Sequence, residues 1–129
     1  MFICFAETIQ QNESVDSQKE SSLLKPIVRG NTEQSNLHLQ KGKDYLINNQ
    51  YQLAIAEFRK AINFNPNSYE AYHDIGITQH YLNRNQEAVA SLQKALQLNP
   101  NYSLAYNSLG AIYESMAQYE QAINYYQKA

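Results

Sequence analysis

The 129-residue chain has no tryptophan, one cysteine, three prolines and four glycines. A single cysteine, Cys4, rules out an intramolecular disulfide and any cysteine-cluster metal site. Few glycines and prolines argue against a turn-rich all-β chain. Ten basic and twelve acidic residues leave a formal charge of -2. That balance excludes the strongly basic footprint of a nucleic-acid or anionic-membrane binder. No apolar run approaches the roughly 20 residues that span a bilayer. The opening MFICFA lacks a basic start and is shorter than the roughly 7-residue apolar core of a secretory signal. Its small residues would still suit the end of an export signal whose start lies upstream. The default expectation is a cytoplasmic protein, exported only if this stretch is such a remnant.

What the chain does have is 43% hydrophobic residues and eleven tyrosines, enough for a packed core built around phenolic rings. It also repeats itself. Gly42, Gly76 and Gly110 are spaced by 34 residues, as are Ala54, Ala88 and Ala122, and Ala61, Ala95 and Ala129. Phe58, Leu92 and Tyr126 share the period, and so do Pro66 and Pro100. Self-similarity at a fixed period of this size is the signature of a solenoid. The units are residues 35–68, 69–102 and 103–129, the third stopping at position 27 of 34.

Each unit reads as two helices. In the third, Ala105, Tyr106, Leu109, Gly110 and Tyr113 form one apolar helical face, and Tyr119, Ala122, Ile123, Tyr126 and Ala129 a second. Asn49 and Asn83 stand where the first helix must reverse, a place for the left-handed conformation that Asn tolerates. Ala117 holds the corresponding place in unit three. Pro66 and Pro100 end the second helices. A glycine inside a helix costs about 1 kcal/mol relative to alanine, so three at one phase require close packing. The expected neighbours are Ala54, Ala88 and Ala122 of the second helix, with Phe58, Leu92 and Tyr126 filling the space between units. Ala61 and Ala95 complete the small-residue columns. Asn31 to Gln34 fits a capping box, which places the start of the first helix near Thr32. Residues 1–34, rich in Gln, Ser, Glu and Asn, are expected to be disordered or loosely attached. Within them the apolar stretch 23–28 is a candidate docking motif.

These columns resemble the tetratricopeptide repeat (TPR) family of 34-residue helix–turn–helix modules. The third unit, AYNSLGAIYESMAQYEQAINYYQKA, carries the aromatic-x-x-Leu-Gly-x-x-Tyr phrase and then the Ala, Tyr and Ala of the second helix. The first and second units carry LQKGKDYL and AYHDIGITQHYL at the corresponding places. Departures are His38 in the aromatic place, Lys41 for Leu and Gln79 for Tyr. The resemblance implies an all-α fold, a right-handed α-solenoid of antiparallel helix pairs. It implies a non-catalytic protein–protein interaction module whose first helices line a concave groove for a partner peptide or helix. Carried over by position, the groove is lined by Asn36, Leu39, Gln40, Lys43, Leu46 and Ile47 from unit one. Unit two contributes Glu70, His73, Asp74, Ile77, His80 and Tyr81, and unit three Leu104, Asn107, Ser108, Ala111, Glu114 and Ser115. Of these, Ile47 is the one most expected to be buried between repeats.

One TPR subgroup uses Lys, Asn and Arg to clamp the acidic C-termini of chaperones. Those places hold Leu39, Lys43, Asp74, Leu104 and Ser108 here, so an acidic tail is not the expected partner. The alternative role is a structural or docking segment of a larger enzyme or secretion or assembly component. The interrupted third unit has three readings: a fragment of a longer array, which is preferred, end-to-end self-association through the last helix, or a frayed end. Sequence motifs for catalysis are missing. His73 and His80 lie two turns apart, roughly 10 Å along the helix axis, too far to share a metal ion directly. His73 and Asp74, as sequence neighbours, are expected to point apart. No cofactor, metal or nucleic acid is expected.

Overall fold

The computed structural model describes residues 30–129. The expectations for residues 1–29, including the apolar stretch 23–28, lie outside the described residues. Gln34–Ala129 form one compact unit. Among the described residues all regular structure is helical: α1, helical over 30–47, then α2 (Tyr51–Phe64), α3 (Tyr69–Tyr81), α4 (Asn85–Leu98), α5 (Ser103–Ser115) and α6 (Tyr119–Lys128). The chain is an all-α solenoid, with odd- and even-numbered helices alternating as the first and second members of three pairs.

The turns follow the sequence period. Asn49 and Asn83 adopt φ of 60° and 62°, and Ala117 adopts 59°, all left-handed. Each reverses the chain into the next helix within its unit. Between units, Asn65 and Asn99 leave helical geometry at φ -137° and -140°. Their Oδ1 atoms accept from the backbone N–H of Asn67 and Asn101, each at 3.2 Å. Pro66 and Pro100 sit inside these two turns, where a missing N–H costs nothing.

The capping-box reading of Asn31 does not hold. The backbone is already helical at residue 30, so Asn31 lies inside α1 rather than before it. Residues 31–34 hold no helix breaker, so the helix runs through this polar stretch.

Two apolar clusters hold the stack together. The first joins Leu39, Ala54, Phe58 and Ala61 of unit one to Ala71 and Ile75 of unit two. The second joins Ala88 and Leu92 to Ala105, Leu109 and Ile112. α2 and α4 are thus each sandwiched between their own first helix and that of the next unit. Ala54, Phe58, Ala61, Ala88, Leu92 and Ala95 have no exposed surface, and Ala122 is 3% exposed. Tyr126 is 40% exposed. The glycines meet bulky side chains rather than the alanines. A Cβ at Gly42 would lie 2.4 Å from Phe58 Cε1, and one at Gly110 would lie 2.7 Å from Tyr126 Cδ1. Only Gly76 has a second-helix alanine among its nearest neighbours, through the Ala88 backbone oxygen at 3.1 Å, with Leu92 Cγ at 2.9 Å. The reason is reach: a ring on the second helix lies flat against the bare backbone and needs the space that a methyl would take.

Polar ties reinforce α1. The buried Ser35 hydroxyl donates to the Ala61 carbonyl at 2.9 Å. His38 stacks on Phe64 at 5.5 Å and bonds Glu57 Oε2 at 2.7 Å. The histidine bond holds the Glu57 carboxyl below the usual range against the opposing effect of desolvation, with Lys60 helping.

Candidate functional site

The groove forms where α3 and α5, the first helices of units two and three, lie side by side. A cavity of about 380 Å³ opens between them. His73, Ile77, His80 and Tyr81 line it from α3, and Leu104, Asn107, Ser108, Ala111 and Ile112 from α5. That volume is at the lower end of the roughly 300–1,000 Å³ of ligand pockets. Helical spacing explains the grouping: residues three and four apart share a face, so 73, 77 and 80 align on α3 and 104, 107, 108 and 111 on α5.

The two walls are tied by a polar chain. His73 lies 2.9 Å from Ser108 Oγ through Nε2 and 3.2 Å from Asp74 Oδ1 through Nδ1. The expectation that His73 and Asp74 point apart is therefore wrong: both side chains fold back along the helix surface until they meet. In the tautomer protonated at Nδ1, that N–H donates to the Asp74 carboxylate and Nε2 accepts from the Ser108 hydroxyl. The order hydroxyl–imidazole–carboxylate is also that of an acyl-transfer triad, which needs N–H donors for an oxyanion. Beside Ser108 the backbone N–H groups are interior to α5 and committed to helical carbonyls. The chain of bonds ties α3 to α5.

The end of the groove near α5's start is negative. His73 stacks on Tyr102 at 5.4 Å, and Tyr69 meets the same ring edge-on at 4.8 Å. Burial, then the charges of Asp74 and Glu70, push the Tyr102 phenol up to about 12. Asp74 Oδ2 is buried with no hydrogen-bond partner among the described residues. At the other end His80 Nδ1 meets Asn85 Oδ1 at 2.8 Å, and Tyr81 stacks on Tyr51 at 5.6 Å.

Other residues named from the sequence lie elsewhere. Leu39 is 6% exposed and belongs to the first core cluster, so it is no groove residue. Its phase on α1 turns it toward Phe58. Ile47, expected to be buried, is 76% exposed, while its neighbours Tyr45 and Leu46 pack against the first cluster. Leu46 is half-buried against the first cluster. Asn36 is exposed and Lys43 half-buried, and neither lines the cavity. Glu70 is exposed outside it, and Glu114 accepts from the Tyr126 hydroxyl at 2.8 Å, tying α5 to α6. Ile112 lines the cavity without having been foreseen, because its position reads as pure core. No helix among the described residues is long and apolar enough to cross a membrane. Among them, no group of three or more metal-ligating side chains gathers.

Comparison with solved structures returns helical-repeat proteins. A crystal structure of MamA superposes with a TM-score of 0.69 at 23% identity, over 76% of this chain and 57% of that one. The first TPR of Spaghetti (RPAP3), bound to the HSP90 peptide SRMEEVD, gives 0.71 at 22% identity, over 75% and 77%. The Arabidopsis OM64 TPR domain gives 0.71 at 24% identity, over 75% and 80%. The chain therefore spans 57% of the length of the MamA structure. No curated protein sequence matches it. The TPR repeat family profile matches residues 42–82 and 78–116, and a second tetratricopeptide repeat profile matches 104–129. With the repeat period, the paired helices and these matches in agreement, the chain belongs to the tetratricopeptide repeat family.

Proposed function

We propose that the chain is a non-catalytic protein–protein interaction module that scaffolds a complex by holding a partner's peptide or helix between α3 and α5. The observation that carries this reading is the cavity itself. Ile77, Tyr81, Leu104 and Ala111 offer apolar contact, while His73, His80, Asn107 and Ser108 offer hydrogen bonds. Tyr81 and Leu104 are 59% and 55% exposed, large side chains that can serve as anchors. Extended or helical segments with apolar anchors suit such a surface. The peptide in the Spaghetti structure is acidic, but here Asp74 and Glu70 oppose an acidic tail at one end of the groove. The places of the chaperone clamp hold Leu39, Lys43, Asp74, Leu104 and Ser108, and Leu39 is in the core.

The test is a peptide selection on the intact protein, followed by titration of the selected peptides against a Tyr81→Ala, Leu104→Asp double variant. Selected peptides should carry apolar anchors and lose at least about tenfold in affinity on the variant, the effect of removing one or two hot-spot contacts. SRMEEVD should bind weakly or not at all. Undiminished binding to the variant, or tight binding of SRMEEVD, would refute the reading.

A second reading, a docking segment within a larger assembly, draws on α6. Tyr119 is 62% exposed, Ile123 54% and Tyr126 40%, on the helix that occupies the place α2 and α4 hold under a following unit. End-to-end self-association through this face would make the sedimentation coefficient rise with concentration, and Ile123→Glu should abolish the rise. A concentration-independent monomer would dispose of self-association.

A further inference from the structure

The three units are close copies, so a place where one copy lacks what its neighbours have is informative. In unit three, Tyr113 on α5 and Tyr125 on α6 stack at 5.3 Å, 11° from parallel. Together with Leu96 they pack against the second core cluster. One period earlier the same two positions are Gln79 and Ser91, and two periods earlier they are Tyr45 and Glu57. Unit two alone carries no ring at either position. The Ser91 hydroxyl donates to Gln79 Oε1 at 2.7 Å, which ties the two small polar side chains together but fills little space.

A hollow of about 440 Å³ lies at this place, with Arg59 and Ile62 of α2, Tyr72, Ile75 and Gln79 of α3, and Ser91 of α4 in its wall. Tyr72, Ile75 and Gln79 occupy the face of α3 opposite His73, Ile77 and His80, so the hollow is separate from the groove. Its interior is prepared for a flat apolar body. Ile75 is buried, Ile62 and Tyr72 are half-buried, and all three present carbon surface. Its polar lining also includes Asn63 and the Tyr72 hydroxyl, and two of its groups offer donors. Gln79 is 8% exposed, and with its oxygen engaged by Ser91 its amide N–H₂ has no protein partner among the described residues. Arg59 is exposed and forms no ion pair among the described residues. A guanidinium stays charged at any relevant pH, can stack on a ring and binds carboxylates through two parallel hydrogen bonds.

We propose that this hollow is a second binding site, which accepts an aromatic ring carrying an acidic group and so supplies from outside the ring that unit two lacks. The ring lies on Ile62, Tyr72 and Ile75, accepts a hydrogen bond from the Gln79 amide, and places its acid beside Arg59. Two sources share that chemistry: a free arylcarboxylate, or a tyrosine side chain next to an acidic residue in another protein.

The test uses the full-length chain, ¹⁵N-labelled, titrated with 4-hydroxyphenylacetate, the neutral p-cresol, cyclohexylacetate and the peptide acetyl-Glu-Tyr-Glu-amide. For ligands of this size a Kd of about 1 mM is the expected range, with amide shifts at Tyr72, Gln79 and Ser91 rather than at Ile77 or Leu104. Binding by the free acid alone marks a small-molecule site, and binding by the peptide alone marks a partner's side chain; either supports the proposal. Gln79→Tyr restores the residue found at the same position in units one and three. It should keep the fold, by circular dichroism and melting temperature, and weaken binding at least tenfold; Ser91→Tyr closes the hollow from the other side if the first variant is unstable. Arg59→Gln should weaken the acids severalfold and leave p-cresol unchanged. Absence of shifts at these residues with every probe, equal affinity in the ring-filled variants, or cyclohexylacetate and p-cresol matching the aryl acid would overturn it.

Discussion

Replacing the helical glycines with alanine separates two opposing effects whose sizes the structure sets. In an unhindered helix interior the change is favourable by about 1 kcal/mol. At Gly42 the new methyl carbon would lie 2.4 and 2.5 Å from two ring carbons of Phe58, where carbon–carbon contact wants about 3.5–4 Å. Phe58 has no exposed surface and is enclosed by Leu39, Ala54, Ala61, Ala71 and Ile75. The ring can only push its neighbours, and overpacking of that kind costs about 1–3 kcal/mol or more. Since more than an ångström of overlap must be relieved, the upper part of that range applies, and the net loss is about 1–2 kcal/mol. At Gly76 the Leu92 carbon at 2.9 Å and the Ala88 backbone oxygen at 3.1 Å leave little slack, because the oxygen cannot change rotamer. At Gly110 the clash is with Tyr126, whose ring is 40% exposed and can swing into solvent. The swing gives up the solvent-exposed hydrogen bond to Glu114 at 2.8 Å, which offsets part of the propensity gain. Urea and thermal unfolding of the three variants should therefore rank Gly42→Ala and Gly76→Ala well below wild type and Gly110→Ala close to it. For a domain of this size each kcal/mol is about 4–8 °C in Tm. A higher Tm for Gly42→Ala, or the same shift for all three, would refute the reasoning.

Two further outcomes follow from particular side chains. Ala117 holds φ of 59°, a conformation that costs an L-residue about 1–2 kcal/mol; Ala117→Gly or Ala117→Asn should raise Tm by several degrees, and a lower Tm would show that the alanine methyl is needed there. The Tyr102 phenol, pushed up to about 12 by burial and by Asp74 and Glu70, keeps its proton in the folded chain while an unfolded tyrosine loses it near 10. Its contribution to stability is thus complete below pH 10 and is lost as pH climbs from 10 towards 12. Alkaline ultraviolet titration of wild type and Tyr102→Phe should assign the late-ionising phenol to this residue, whereas identical curves would contradict it.

The parts of this molecule that were legible in the sequence are those fixed by local geometry or by repetition. Asn49 and Asn83 announce left-handed turns, and Ala117 is recognisable as the odd member of that column only because the period aligns the three. Much of the α3–α5 wall follows from the same alignment. Most of the misreadings are matters of rotation or reach. Leu39 and Lys43 are four apart on α1, and periodicity alone could not say that Phe58 would draw Leu39 inward. Ile47 looked like buried surface, but its place on the last turn of α1 faces away from the cluster that Tyr45 and Leu46 join. Asn31 carried a capping signal that a longer helix overrode. Adjacent residues project about 100° apart, yet two flexible polar side chains closed that gap at His73 and Asp74.

The sequence by itself determined the architecture: a 34-residue alternation of small and bulky residues can satisfy its apolar faces only by stacking helix pairs, one unit on the next. Only the tertiary structure decided where that stacking leaves room. The groove between α3 and α5 and the hollow beside Gln79 depend on how far side chains from separate helices extend toward one another. A missing ring becomes a cavity only when close-packed neighbours are held too firmly to collapse into it.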